Sequence, residues 1–252
     1  MCVLATEVVL QTYLAVVEWD GLDEQHCLIA PTEHACSSIQ LDENVWDEMR
    51  IWRKGLVAMW RESGQDCLFL EMSRNVAYGA HLVIECVPVP VEVGGTAPIY
   101  FKLVDMGVIE VRHVYQLSEY DASPSSLMKF VKRGRGDLYA EFGKAIMECE
   151  EDYAHNKKLI EIKDLRRQIP RNFSYFAVDF GLNNGYAHVI ENMQSFPSSF
   201  AHEIIAGMLD LPPSKWRKKK AQTYSELKAK CDAMKAAWEP YDWTKRIDRT
   251  NR

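Results

Sequence analysis

One apolar stripe sets the frame for everything around it. Val45, Met49, Trp52, Leu56 and Met59 recur at alternating spacings of four and three, which places them on one face of a helix. Asp42 and Glu43 put negative charge at its start, where the helix dipole favours it, and Gly64 offers a C-terminal stop. A helix with a single apolar face must bury that face against a second layer. The flanking sequence supplies strands for the purpose. Glu7 to Val17 is rich in β-branched and aromatic residues, and His26 to Ala30 is a short apolar run closed by Pro31. Cys67 to Met72 and His81 to Pro90 follow the helix, the second ended by Pro88 and Pro90. Strands, a long helix, then strands predict an α+β fold with an antiparallel sheet.

The pattern breaks at Leu103 to Gly143, which holds the turn-like Ser123-Pro124-Ser125-Ser126 and the basic, glycine-rich Lys132-Arg133-Gly134-Arg135-Gly136. Structureless connections longer than about 15 residues are uncommon inside compact domains, so residues 103–143 read as an insertion or loop. A second α+β pattern follows. Lys144 to Leu159 reads as a helix with an acidic face. Tyr175 to Phe180 and Tyr186 to Ile190 flank a hairpin loop, Gly181 to Gly185. Ser199 to Leu209 is an amphipathic helix, and Leu227, Cys231, Met234 and Trp238 form the stripe of a last one, stopped by Pro240. The division expected is residues 1–102, a linker over 103–143, and a smaller α+β domain at 144–252. Tyr175, Phe176, Phe180 and Tyr186 are expected in the second core, with His188 beside them. Tyr241 and Trp243 are expected to dock the C-terminus back onto the body.

Composition excludes several classes. A hydrophobic fraction of 47% and a charged fraction of 26% over 252 residues suit a globular chain and not a disordered one. No apolar run reaches the roughly 18–20 residues that cross a bilayer, so no membrane partner is expected. Seven cysteines without C-x-x-C spacing argue against a disulfide framework and for reduced thiols in the cytoplasm or nucleus.

The chemistry centres on His81-Leu82-Val83-Ile84-Glu85-Cys86-Val87. Alternation puts His81, Val83 and Glu85 on one face of a strand. The stretch from Glu24 to His34, with its spacing to His81, resembles the strand and turn before the long helix of histidine-triad proteins. Those proteins carry His-x-His-x-His or His-x-His-x-Gln on the catalytic strand, and the middle histidine attacks a nucleotide α-phosphate. Here that position is Val83. A valine has neither a lone pair to attack phosphorus nor a proton to transfer, and a carboxylate at Glu85 would repel phosphate unless it were itself paired. No catalytic residue is expected in this degenerate site.

Further motifs carry a narrower resemblance. Ala97-Pro98-Ile99-Tyr100-Phe101-Lys102, Tyr175 to Gly181, Gly185 to Glu191, Lys215-Trp216-Arg217-Lys218 and Trp238 to Thr244 resemble the paired C-terminal domains of the CwfJ family of spliceosome-associated proteins. The resemblance is to the branch with His-x-Val-x-Glu in place of the triad. It implies a nuclear, non-catalytic pre-mRNA splicing factor of late complexes that hold the excised intron lariat. The implied partners are spliceosomal RNA or the intron lariat, spliceosomal proteins and the debranching machinery. Two other readings are carried alongside: a nucleotidyl hydrolase or transferase using a non-standard residue, and a pure protein scaffold. Family members pass directly from the match to Lys102 into the match to Lys144, which supports an insertion between them.

The resemblance also implies a zinc site made from an upstream cysteine pair, a histidine near His34 and the first triad position, His81. Only the histidine half is present. Zinc takes about four ligands in a closed structural site, so no cofactor is expected unless further ligands come from outside this chain or from Cys2. The absent upstream region leads to the expectation of a fragment or short isoform.

A net charge of −6 hides an asymmetry. Residues 213–252 hold 12 Lys/Arg against 5 Asp/Glu, an electrostatic footprint for a polyanion or an acidic protein. Lys215, Arg217, Lys218, Lys219 and Lys220 surround Trp216, which either stacks on a base or packs the helix entry. Arg166, Arg167 and Arg171 are expected to extend the same RNA-binding patch.

Overall fold

The long helix α1 (Glu43–Glu62) carries the stripe as expected: Met49, Trp52, Leu56 and Met59 are buried and Val45 is half-buried. Gly64 follows it at φ +71°, and its N–H donates to the Arg61 carbonyl at 3.1 Å, a left-handed stop that costs glycine little. The computed structural model of the chain describes residues 10–76, 79–105, 159–194 and 196–245. Most of the 103–143 segment and nearly all of the helix expected over Lys144 to Leu159 lie outside them.

Strands β1 (Thr12–Val16) and β2 (Cys27–Pro31) precede α1, and β3 (Gln65–Ser73) and β4 (Ile84–Pro90) follow it. Helix α2 (Val91–Asp105) comes directly after β4. The later residues supply β5 (Ile160–Ile162), the short α3 (Leu165–Gln168), β6 (Tyr175–Phe180) and β7 (Gly185–Val189). They end with α4 (Phe200–Met208), α5 (Ser214–Arg217) and α6 (Tyr224–Trp238). Strand-ending prolines do not end the chain's order here, because α2 starts right after Pro90. Its sequence gives little local signal for a helix, since Gly94, Gly95 and Pro98 are weak helix formers.

All seven strands join one antiparallel sheet in the order β1-β2-β4-β3-β6-β7-β5. The β3–β6 pairing, from Leu68↔Phe180 to Ser73↔Tyr175, stitches the two halves of the sequence together. Alternation along each strand then builds two cores. On one face, Leu14, Ile29, Phe69 and Cys86 pack with α1 and α6. On the other, Leu70, Val87, Phe176 and Val178 pack with α2, α4 and Trp216. Phe176, Phe180 and Tyr186 therefore fill a core shared with α2 and β4, while Tyr175 points to the opposite face.

The helices are exchanged across the seam. α6, from the end of the chain, lies on β1 and α1, and α2 packs against α4. Trp238 of α6 sits 5.2 Å from the Trp52 ring, and Trp243 beyond it is 5.3 Å from the same ring, which is the expected docking of the C-terminus. A Cβ added at Gly55 would fall 2.4 Å from Trp238 Cη2, so α1 needs glycine there for the two helices to meet. Backbone bonds from Asp20 N–H to Lys220 O (2.9 Å) and Gln222 N–H to Glu18 O (3.0 Å) add a further link between the halves.

Cys27, Cys36, Cys67 and Cys86 carry free thiols. Cys231, buried on α6, is disulfide-bonded, a departure from the expectation of reduced thiols throughout.

Candidate functional site

Register puts Glu85 opposite Leu28 and Leu70, on the sheet face covered by α4. From α4, His202 brings its Nε2 to 2.7 Å from Glu85 Oε2; from the loop before β2, His26 brings its Nε2 to 3.2 Å from the same oxygen. Burial would raise the Glu85 carboxyl, but the hydrogen bond from His202 and the nearby His26 imidazole outweigh it and hold Glu85 well below the usual carboxylate range. Burial pushes His26 the other way, below an ordinary imidazole, against the pull of Glu85. The group is thus a buried carboxylate kept ionised by two imidazoles from separate parts of the chain, of which His202 is hydrogen-bonded to it.

The three donor atoms lie within 4.8 Å of one another, close enough to consider a cation. The backbone argues otherwise. The Leu22 N–H donates to His26 Nδ1 at 3.3 Å, which makes Nδ1 the acceptor and leaves the imidazole proton on Nε2, the atom a metal would need bare. The trio is organised for holding protons.

The sequence placed His81, Val83 and Glu85 on one strand. The alternation survives: Leu82, Ile84 and Cys86 pack in the α1 core, and Val83 lies against the opposite-face cluster of Ala15, Val17, Leu28 and Ala30. Ladder pairing starts only at Ile84, so His81 precedes the strand. Its Nε2 lies 2.8 Å from the Pro31 carbonyl, and its ring meets His34 edge-on with centroids 5.5 Å apart. His34 and His81 do come together, as the zinc reading requires. Among the described residues no third His, Cys, Asp or Glu completes a donor group with them. Two imidazoles are half the donor set that zinc needs. Beside Glu85, where a nucleotide cleft would open, α4 has laid His202. The sheet there is covered.

The basic residues separate into two groups. Trp216 is buried in the α2–α4 core, with the Arg217 guanidinium 4.9 Å from its ring; it packs the helix entry and offers no face to a base. Lys215 Nζ is 2.6 Å from Asp20 Oδ1, and Lys219 Nζ lies 4.0 Å over the Trp19 ring. Lys218 and Lys220 are exposed. Arg166, Arg167 and Arg171 do not extend this patch. They line a cavity on the other side of the sheet, the side of α1.

Residues 4–102 match the family model described as protein similar to CwfJ C-terminal, and residues 152–244 match protein similar to CwfJ C-terminus 2. The chain belongs to the CwfJ family. It is 54% identical over 238 residues to a CWF19-like protein 2 homolog of Caenorhabditis elegans, covering 94% of this chain and 43% of that protein. It is 38% identical over 237 residues to CWF19-like protein 2 of Homo sapiens, covering 93% and 22% respectively. With the pre-mRNA-splicing factor cwf19 of Schizosaccharomyces pombe the identity is 24% over 246 residues, covering 93% and 32%. The chain spans less than half the length of these relatives.

Within this CwfJ fold, sequence reasoning missed the partners of Glu85. His202 sits in a helix of buried residues, Ala201, Ile204 and Ile205. A histidine inside an apolar stripe, and a glutamate inside a buried strand, are each costly alone, and that shared cost was the signal that they belong together.

Proposed function

We propose that this chain is the RNA-engaging part of a nuclear pre-mRNA splicing factor that acts by binding and not by catalysis. Its place is in late spliceosomal complexes holding the excised intron lariat, beside spliceosomal proteins and the debranching machinery. The observation that carries the reading is the state of the degenerate strand. Val83 stands where a nucleophile would be, and Glu85 beside it is engaged by His26 and His202. A carboxylate already hydrogen-bonded to His202, with the His26 ring 3.2 Å away, does not receive a nucleotide phosphate. The name of the fission yeast relative, a pre-mRNA-splicing factor, supports the cellular setting.

Two assays on the purified chain test this together. Fluorescence anisotropy with a labelled single-stranded RNA should show binding that weakens steeply with salt. Incubation with dinucleoside polyphosphates or adenylated substrates should give no turnover. Turnover abolished by His81→Ala or His202→Ala would overturn the non-catalytic reading, and absence of salt-sensitive RNA binding would favour a protein scaffold.

A further inference from the structure

A cavity of about 620 Å³ opens between α1, the β5–α3 segment and the β6–β7 turn. Its floor is partly apolar, with Ile39, Phe69 and Ala177, and its walls carry a concentration of cations unexpected in a chain of net charge −6. Some of those cations build the walls. Arg53 reaches across the sheet to donate from Nη2 to Asp179 Oδ2 at 2.6 Å, with its guanidinium 4.4 Å above the Phe69 ring. Arg166 donates to Glu43 Oε2 at 2.6 Å and to the Leu41 carbonyl at 2.5 Å, tying α3 to the start of α1. Arg167 is paired with Asp164 and Arg50 with Asp47.

The remaining cations have no such task. Lys54, Lys163 and Arg171 are exposed at the cavity and make no ion pair among the described residues. The carboxylates of the lining are accounted for: Glu43, Asp164 and Asp179 face arginines, and Glu71 is buried under hydrogen bonds from Ser38 and Tyr175. Arg53 Nε is a buried donor without a hydrogen-bond partner in the described structure, the kind of group that a bound oxyanion or water satisfies. Trp46 is half-buried at the rim, with Arg166 6.0 Å from its ring.

We propose that this cavity cradles a single-stranded stretch of RNA, with Lys54, Lys163 and Arg171 on its phosphates and Trp46 as a stacking surface for one base. The assignment rests on the RNA-binding reading above and names its site. The volume falls within the roughly 300–1,000 Å³ of pockets that enclose small ligands. That suits one or two nucleotides drawn into the protein and not the broad face that a duplex requires. Cations beside an aromatic plane are the combination that holds single strands without sequence preference. An acidic peptide would use the cations and leave Trp46 without a role.

The test is anisotropy of a short labelled oligouridylate on the purified chain across a salt series. A Lys54→Glu, Lys163→Glu, Arg171→Glu variant should bind at least tenfold more weakly. Its log–log salt slope should be shallower by about 2, at roughly 0.7 per lost phosphate contact on a single strand. Gln at the same three positions removes charge without reversing it and should lose affinity in the same direction, with circular dichroism melting unchanged in both variants. Charge reversal across Lys218 to Lys220 should change affinity less than twofold. Undiminished binding by both cavity variants, while the wild-type chain binds, would overturn the assignment and leave RNA binding intact elsewhere. No binding by the wild-type chain even at low salt would be the failure of the RNA reading itself. A polyglutamate peptide that binds more tightly than the RNA, and loses affinity in the cavity variants, would also overturn the proposal in favour of an acidic protein.

Discussion

Glu85 is ionised in the fold because His26 and His202 hold it so, and this ties stability to pH with a definite sign. The Glu85 pKa is lowered relative to the unfolded chain, so its contribution is present above the unfolded value near 4.3 and is lost as pH falls through the folded one. His26 is also lowered. Below an unfolded value near 6.5 the open chain takes up a proton that the buried ring refuses, so stability again falls toward acid. Urea unfolding midpoints should therefore decline from pH 7 to pH 5 and decline further below pH 4.5. Glu85→Gln should cost about 2–3 kcal/mol at pH 7, the scale of hydrogen bonds to a charged group, and should flatten the lower part of that profile. An unchanged profile would mean that the trio does not hold the halves together. At Gly55 the steric cost should exceed the gain in helix propensity. Gly55→Ala adds about 1 kcal/mol of intrinsic helix preference, yet its Cβ would stand 2.4 Å from Trp238. The expected outcome is a net loss of about 1–3 kcal/mol from overpacking, read as a lowered urea midpoint. At this scale the sequence was informative about single positions such as Val83, whose side of the strand follows from alternation. It was silent about His26 and His202, whose meaning lies in contacts with Glu85 across distant parts of the chain.

Periodic elements were the most legible. The α1 stripe, β6 and the α6 stripe lie where their spacing put them, because one buried face dictates one period. The helix α2 escaped because the local signals contradict the fold. Gly94, Gly95 and Pro98 speak against a helix, whereas Val93, Ala97, Tyr100 and Phe101, spaced at i, i+4, i+7 and i+8, pack against the second core. Packing overrode propensity, and that spacing was the signal to follow. Helix α6 opens with a capping box between Thr223 and Glu226, so its start is fixed locally while its stability comes from Trp238 and Met234 under α1. Trp238→Ala should destabilise the chain by about 3–5 kcal/mol, measured by denaturant unfolding. A loss below 1 kcal/mol would show that α6 docks without contributing.

Across the whole molecule, the sequence divides the chain at residues 103–143 but could not show that the parts on either side share a sheet. Strand partners such as Leu68 and Phe180 are far apart in the chain, and no local pattern encodes them. A continuous sheet with exchanged helices should unfold in one transition, with tryptophan fluorescence and far-ultraviolet circular dichroism coinciding. Two separated transitions would mean that the halves are energetically independent. Charge is likewise a property of the folded chain. The C-terminal lysines and the arginines near residue 170 read as one basic patch, yet the sheet lies between them. Lys54, Lys163 and Arg171, without ion pairs among the described residues, line the cavity beside α1. The central claim is that this CwfJ chain binds spliceosomal RNA through that cavity without acting on it. Ultraviolet crosslinking in purified late spliceosomes, with the linked peptides identified, tests it most directly. Crosslinks to intron or spliceosomal RNA should fall on peptides carrying Trp46 and Lys54, Lys163 or Arg171; crosslinks confined to Lys218 to Lys220, or none to RNA, would contradict it.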